Sequence, residues 1–429
     1  MLKWHILAKG ISKIEINMSA TSKNQPKSYI PIPIFDGVEE LSAGIMPSYV
    51  PEPFYKEYKL AADFLLSYKN NEETFKTYRR EIERFVQWTC FFAKLSIKSL
   101  KRADLENYLI FCRKPDNNWI GVYTVPKFIE IDGIRQPNPK WRPYVVKISK
   151  AQTKAGEIPR PAKYKLSDKG FREIFTILQG FYKYLIQADY LEMNLIDLIK
   201  QKSTYYRTQT KQKIRRIPEL QWDVLIETAE TMAERDPQKH ERTLFIISLL
   251  YGLYLRVSEL AASDRWTPYM QHFEKDYEGN WWFRTVGKGN KERTIAVSPP
   301  VLKALIRWRN YLKLPSELPL IGEATLLIHG RSLNSPIEST RQIRNIVQAC
   351  FDEAVIKLRN EGFEHEAAEL EQATVHWLRH TGISEDVKHR PREHVRDDAG
   401  HSSSLITDRY IDVDTRERHK SAQDKIFRH

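Results

Sequence analysis

The chain has 429 residues, and with ~100 to 200 residues per domain two or three domains are expected, each able to bury a core. Apolar residues make up 41% and charged residues 29%, a balance that excludes wholesale disorder and fits a folded globular protein. Lys and Arg outnumber Asp and Glu by 68 to 55, a formal charge of +13, which concentrates polyanions at the surface and makes nucleic acid the leading partner, although many basic proteins are merely soluble.

In chain order, MLKWHILAKGISKIEIN sets Lys3, His5 and Lys9 through what would have to be the apolar stretch of a leader. It reads as a disordered lead, with Met18 a candidate natural start. Residues 18 to about 55 carry PIPIF and PSYVPEPF, which cannot propagate a helix because proline lacks the amide donor. Residues 1–56 are therefore expected to form a disordered or extended arm. From Tyr58 the pattern changes: Phe75, Tyr78, Ile82 and Phe85 fall on one helical stripe, with Asn70 and Glu73 placed like a capping box, predicting a helix over about 72–95. A second helix is expected from Arg102 (RADLENYLIFCRK) and a third through Ile174, Leu178, Phe181 and Leu185. Residues 57–205 thus read as a helical domain. Its 114–166 segment (NWIGVY, NPKWRPYVVK, IPRPAKYK) has no sustained period and reads as an inserted loop or small hairpin.

Residues 206–217 lie in a basic stretch with no apolar face, a linker. Its Lys211, Lys213, Arg215 and Arg216 suit a phosphate backbone, a solvated loop being the alternative. Residues 218–429 form a second domain, with helices over ELQWDVLIETAETMAER and ERTLFIISLLYGLYL, two strands at Trp281–Val286 and Arg293–Val297, and further helices from Pro299. The longest apolar run, Leu244 to Leu255, ends on Arg256 and is far short of the ~20 residues of a bilayer span, so no membrane partner is expected. Cys90, Cys112 and Cys350 lack the spacing of a zinc site or disulfide framework and read as buried thiols in a reducing cytoplasm.

The chemistry-bearing residues come late. In LLYGLYLRVSEL an apolar helix delivers Arg256 and Glu259 on one face of its polar end. Alone, such an arginine is a solvated helix end. GKGNKE between the two strands would hold Lys288 at a hairpin tip, although Gly-Lys-Gly also makes a convenient turn. HWLRH puts His376 and Arg379 on one helical face, AGHSS puts His401 at a loop-to-helix junction, and Tyr410 follows in ITDRYIDV. His376, His380, His389, His394 and His401 invite a metal, but Arg379 and Arg390 would repel a divalent cation and no carboxylate pair is suitably spaced. Arg256, Lys288, His376, Arg379 and His401 share donors that can converge on an anion, the equipment for stabilising a pentacoordinate phosphorus transition state. Tyr410 would supply the attacking oxygen, whereas a lone tyrosine would be a packed aromatic.

LRVSEL, GKGNKER, HWLRHT, GHSS and TDRY together resemble, in order and over about 210–415, the motifs of the tyrosine recombinase or phage integrase family. DDAGH departs from the family's Leu-Gly-His turn at Ala399, and the 114–166 segment is longer than in compact members. The resemblance implies a mainly α fold with a small antiparallel sheet (α+β), a helical core-binding domain over 57–205 and a catalytic domain over 218–429. It also implies that Arg256 and Arg379 clamp nonbridging phosphate oxygens and that Lys288 protonates the departing 5′ hydroxyl. His376 would assist proton transfer at Tyr410, His401 would donate to the phosphate, and Glu259 would orient a histidine or arginine. Cleavage would pass through a 3′-phosphotyrosyl bond without nucleotide, metal or other cofactor. The sequence holds no phosphate-binding Gly-x-x-x-x-Gly-Lys loop and no two-metal acidic cluster, in keeping with that expectation. The expected partner is double-stranded DNA carrying specific recombination sites, bound by a homotetramer on paired sites. The tail Asp412 to His429 would dock on a neighbouring subunit or fray. The expected setting is a mobile element in the bacterial cytoplasm, associated with the nucleoid. Two rival readings share the fold: a type IB topoisomerase-like or hairpin-resolving enzyme, and a noncatalytic DNA-binding accessory protein.

Overall fold

The computed structural model describes residues 29–148, 152–153, 156–202, 215–287, 289–410 and 423. Two compact units divide the chain, residues 1–209 and 210–429. The fold is mainly helical with small sheets.

In the first unit the helices are α1 (Val38–Ser42), α2 (Tyr55–Leu66), α3 (Glu72–Gln87), α4 (Arg102–Arg113), α5 (Asp168–Gln187) and α6 (Leu195–Lys202). The stripe that predicted α3 faces inward, with Phe75, Ile82 and Phe85 buried. Its cap is Asn71, one residue later than expected: the Asn71 side chain accepts from the Thr74 amide at 3.0 Å, satisfying a donor that the first turn leaves open. The predicted helix stops being α-helical at Gln87, widens into a π turn over Trp88–Ala93, and ends on left-handed Lys94.

The expected N-terminal arm is corrected over its described part. Ile34, Phe35, Leu41 and Val50 are buried, because prolines forbid a helix but not burial. The fully buried Glu83 carboxylate accepts from the amides of Ile34 at 2.7 Å and Phe35 at 3.3 Å, giving the extended segment hydrogen-bond partners inside the core. Glu83 also pairs with the Lys127 ammonium. The 114–166 segment contains the hairpin allowed for it, β2 (Phe128–Ile131) against β3 (Ile134–Pro137). Asp132 and Gly133 turn it at positive φ, 53° and 72°, as a two-residue hairpin loop demands. Beside it the short strands β1 (Ile120–Gly121) and β4 (Tyr144–Val145) pair in parallel. Trp119 and Tyr144 are wholly buried, and Arg84 donates to the Pro143 carbonyl from Nε at 2.9 Å and Nη2 at 2.6 Å. The insertion is therefore part of this unit's core.

The second unit begins with α7 (Glu219–Arg235) and α8 (Pro237–Gly252), followed by the one-turn α9 (Val257–Leu260). A three-stranded antiparallel sheet follows, in the order β5 (Phe273–Lys275), β6 (Trp281–Val286), β7 (Glu292–Ala296). Phe273, Phe283 and Ile295 stand in register across it and are buried. The remaining helices are α10 (Pro299–Tyr311), α11 (Thr340–Asn360), α12 (Glu364–Glu371), α13 (His376–Asp386), α14 (Arg392–Ala399) and α15 (Ser404–Thr407). A 3-10 turn over Asp408–Tyr410 closes the described run. The main core packs Phe245, Leu249, Trp308, Phe351 and Leu378, and a separate small cluster gathers Tyr254, Ile383, Val395, Ala399 and Tyr410. Among the described residues no helix is long and apolar enough to cross a membrane.

Candidate active site

Three stretches of the second unit meet at the small cluster. The first is the end of α8. Contrary to the expectation of one continuous helix, α8 stops at Gly252, and Arg256 precedes the separate turn α9 in extended backbone, φ −78° and ψ 146°. Tyr254 turns the chain between them at φ 48°, a left-handed conformation uncommon outside glycine.

Glu259, buried at 1% exposure, holds this corner. It accepts from the Arg256 amide at 2.8 Å and from Arg256 Nη1 at 2.9 Å. From the neighbouring strand β7, Arg293 donates Nη1 at 2.6 Å and Nη2 at 2.8 Å to the same carboxylate. Burial pushes the Glu259 carboxyl up, but the Arg293 and Arg256 contacts outweigh it and its pKa is lowered. Gly287, last before the hairpin turn, lies so close that a Cβ there would sit 2.9 Å from Glu259 Oε1 and 3.4 Å from Arg256 Nη1.

The second stretch is α13. Its Gly382 packs on the end of α8, where a Cβ would overlap the Tyr251 carbonyl oxygen. This close approach sinks Arg379 to 2% exposure. Arg379 donates Nη1 to the Tyr254 carbonyl and Nη2 to the Ala399 carbonyl, the latter at 2.6 Å. Among the described residues no carboxylate forms an ion pair with Arg379. Burial, then the charges of Arg256 and Arg293, lower its pKa to about 9, so it remains a cation at neutral pH in a region of uncompensated positive potential.

The third stretch is the turn after α14. Gly400 caps α14 in the left-handed region at φ 62°, the usual glycine ending of a helix. Three consecutive residues of this turn touch the other parts: the Ala399 carbonyl accepts from Arg379, the Gly400 carbonyl receives Arg256 Nη2 at 3.5 Å, and the His401 ring stacks on Tyr410 with centroids 5.6 Å apart. His401 Nδ1 also contacts Thr407 Oγ1 at 2.9 Å. Tyr410 is buried, and its hydroxyl lies 2.7 Å from His380 Nδ1. His376 stands solvent-exposed one turn before His380, ring centroids 4.3 Å apart. Desolvation comes first for each, followed by the charges of Arg379 and Arg256 at His376 and His401 and by His376, Arg379 and His401 at His380; together they lower all three histidines, His380 and His401 to about 4. They are neutral at pH 7.

The structure thus brings together Arg256, Glu259, His376, Arg379, His401 and Tyr410, which the sequence singled out. Lys288, Lys211 and Lys213 lie outside the described residues, as do Met18, the first part of the basic linker and the tail apart from residue 423. Arg215 and Arg216 are exposed and half-buried, just before Ile217, whose amide donates to Thr381 Oγ1 on α13 at 2.9 Å. Sequence reasoning missed two members, Arg293 and His380. His380 follows His376 by four residues and so shares its helix face, a spacing that was legible; Arg293 carried no such signal. Among the described residues no group of three His, Cys, Asp or Glu is placed to hold a metal ion.

The arrangement offers buried and half-buried guanidinium donors, neutral imidazoles and one phenol around a site with surplus positive charge, a setting for an anion. Residues 215–417 match the model of the phage integrase family. Among solved structures, the chain is similar to the XerH site-specific recombinase bound to palindromic difH substrate in a post-cleavage complex. The two are 14% identical, the match covers 90% of this chain and 93% of that one, and the TM-score is 0.51; they share a fold. It is also similar to the Tn1549 transposon integrase in complex with circular intermediate DNA, at 16% identity, 86% and 98% coverage and a TM-score of 0.48. A lambda integrase dimer bound to a COC′ core site matches at 11% identity, 89% and 85% coverage and a TM-score of 0.46. No curated protein sequence matches the chain.

Proposed function

We propose, from the match of residues 215–417 to the phage integrase family, that the chain is a tyrosine-type site-specific DNA recombinase with Tyr410 as its nucleophile. The observation that carries this reading is Arg379. A guanidinium at 2% exposure, bonded to two carbonyls and beside Arg256, leaves positive charge that a phosphodiester would neutralise.

In the proposed cycle Arg256 and Arg379 bind the nonbridging oxygens of the scissile phosphate and stabilise the charge that builds there. His401 donates a further hydrogen bond and His376 assists proton transfer. The Tyr410 oxygen bonds to phosphorus as the bond to the 5′ oxygen breaks, and Lys288 gives that oxygen its proton. The phosphotyrosyl ester keeps the bond energy, so a 5′ hydroxyl of another strand can reverse the step without nucleotide or metal. The first unit would grip double-stranded DNA as the core-binding domain, with Arg215 and Arg216 of the basic linker on the backbone. A homotetramer would hold two sites in a bacterial cytoplasm. The test is a nicked substrate from which the cleaved fragment diffuses away, trapping protein on DNA. The native chain should accumulate a covalent adduct and Tyr410→Phe should bind the same site without one; an adduct with the variant would require another nucleophile.

A further inference from the structure

Tyr410 and His380 form a contact that the proposed cycle leaves unused, and this inference rests on the reading of Tyr410 as nucleophile. The phenol is 6% exposed, its oxygen 2.7 Å from His380 Nδ1. The rings of His380 and Tyr410 lie 5.4 Å apart, with His401 on the other contact at 5.6 Å. Of the two histidines on this helix face, His380 is the one hydrogen-bonded to the Tyr410 hydroxyl, and the His376 ring stands edge-on against His380, 4.3 Å away. We infer that His380 is the residue that positions the Tyr410 hydroxyl and receives its proton during strand cleavage.

The chemistry fits the geometry. A neutral imidazole with its hydrogen on Nε2 accepts at Nδ1, so at rest the phenol donates and keeps its proton. Burial first, then His376, Arg379 and His401, depress the basicity of His380, to a pKa of about 4. A phosphodiester bound by Arg256 and Arg379 adds negative charge to this same region, offsetting the cation and raising the basicity of His380 only when the target is present. The Tyr410 O–H bond then breaks toward Nδ1 as the oxygen–phosphorus bond forms. The 5′ oxygen leaves with a proton from the acid, and in religation His380 returns its proton to the phenol. Cleavage by an idle enzyme is disfavoured because the base is weak until a phosphate occupies the arginines.

The discriminating experiment compares His380→Asn with His380→Ala on two nicked substrates, one with the natural 5′ oxygen leaving group and one with sulfur in its place, which needs no protonation. Asparagine can accept from the hydroxyl but cannot take its proton. Both variants should fold, bind DNA and cleave at least 100-fold more slowly on both substrates, with His380→Ala partly restored by added imidazole. Rescue of either variant by sulfur, or native cleavage by His380→Asn, would overturn the assignment. A variant that fails to bind DNA is set aside in favour of His380→Gln, judged by the same substrate ratio, and a sulfur-independent defect sustains the proposal while a sulfur-rescued one rejects it. If Tyr410→Phe still forms the adduct, it is the nucleophile reading that fails, and the two failures are thus told apart.

Discussion

Replacing Glu259 by Gln removes the one negative charge that joins the Arg256 corner to strand β7. Glu259 accepts from the Arg256 amide and Nη1 and from both Arg293 Nη groups, all within 2.6 to 2.9 Å. Glutamine keeps a single acceptor oxygen and turns an amide donor toward guanidinium groups. Breaking a buried pair by removing one partner costs about 3 to 5 kcal/mol. The lower end applies here, because the Arg256 side chain is 31% exposed and can be rehydrated. An unfolding free energy lower by about 3 kcal/mol is on the order of a 100-fold rise in the opening equilibrium. Urea titration read by hydrogen-exchange mass spectrometry on peptides spanning 256–298 isolates this region from the first unit. The pH dependence gives a second check. The folded carboxyl is held below its unfolded value of about 4.5, so ionised Glu259 stabilises the fold fully above that value, and the contribution is lost as pH falls through the folded pKa. The gap between native chain and variant should be constant from about pH 8 to 5 and close below about 4.5. No gap at pH 7, or one that persists unchanged in acid, would refute the role given to this carboxylate.

Three further outcomes are expected besides the His380 substrate comparison. Tyr410→Phe should retain DNA binding on gel shift while losing the covalent adduct on denaturing gels. Arg379→Ala and Arg256→Ala should each raise the cleavage barrier by about 2.7 to 4 kcal/mol, the cost of one lost transition-state donor, and single-turnover rates near native would remove them from the phosphate clamp. Gly400→Ala forces a side chain into φ 62° with its Cβ 2.8 Å from Arg293 Cδ. It should cost about 1 to 2 kcal/mol and lower the melting temperature seen by calorimetry, and an unchanged melting temperature would contradict the close packing of that turn.

What could be read from the residues was local and periodic. The α3 stripe, the α5 stripe and the two strands of the hairpin follow from repeats of 3.6 and 2 that survive in any context. The grouping of Arg256, Arg379, His401 and Tyr410 was legible only through motif order, since nothing in spacing alone says that positions 256 and 410 meet. The arm was misjudged because proline reports on helix and says nothing about burial; a single carboxylate on another helix, Glu83, decides it. Arg256 was placed at the end of the apolar helix, not in the extended residue after it, because an apolar run gives no sign of a left-handed residue such as Tyr254. Arg293 escaped notice because its meaning lies wholly in a partner, Glu259, distant in sequence.

The turn at 399–401 works as a common datum for the site. Both arginines and the Tyr410 ring touch neighbouring residues of one short peptide, so a shift of that peptide is felt by all three at once. Insertions or deletions within it would instead split the reference and scatter the groups. The loop 312–325 is aligned on a different residue, the buried Arg309, which donates to the Ser316 carbonyl at 3.0 Å and to Glu323 at 2.7 Å, so its length is tied to the main core and not to this site.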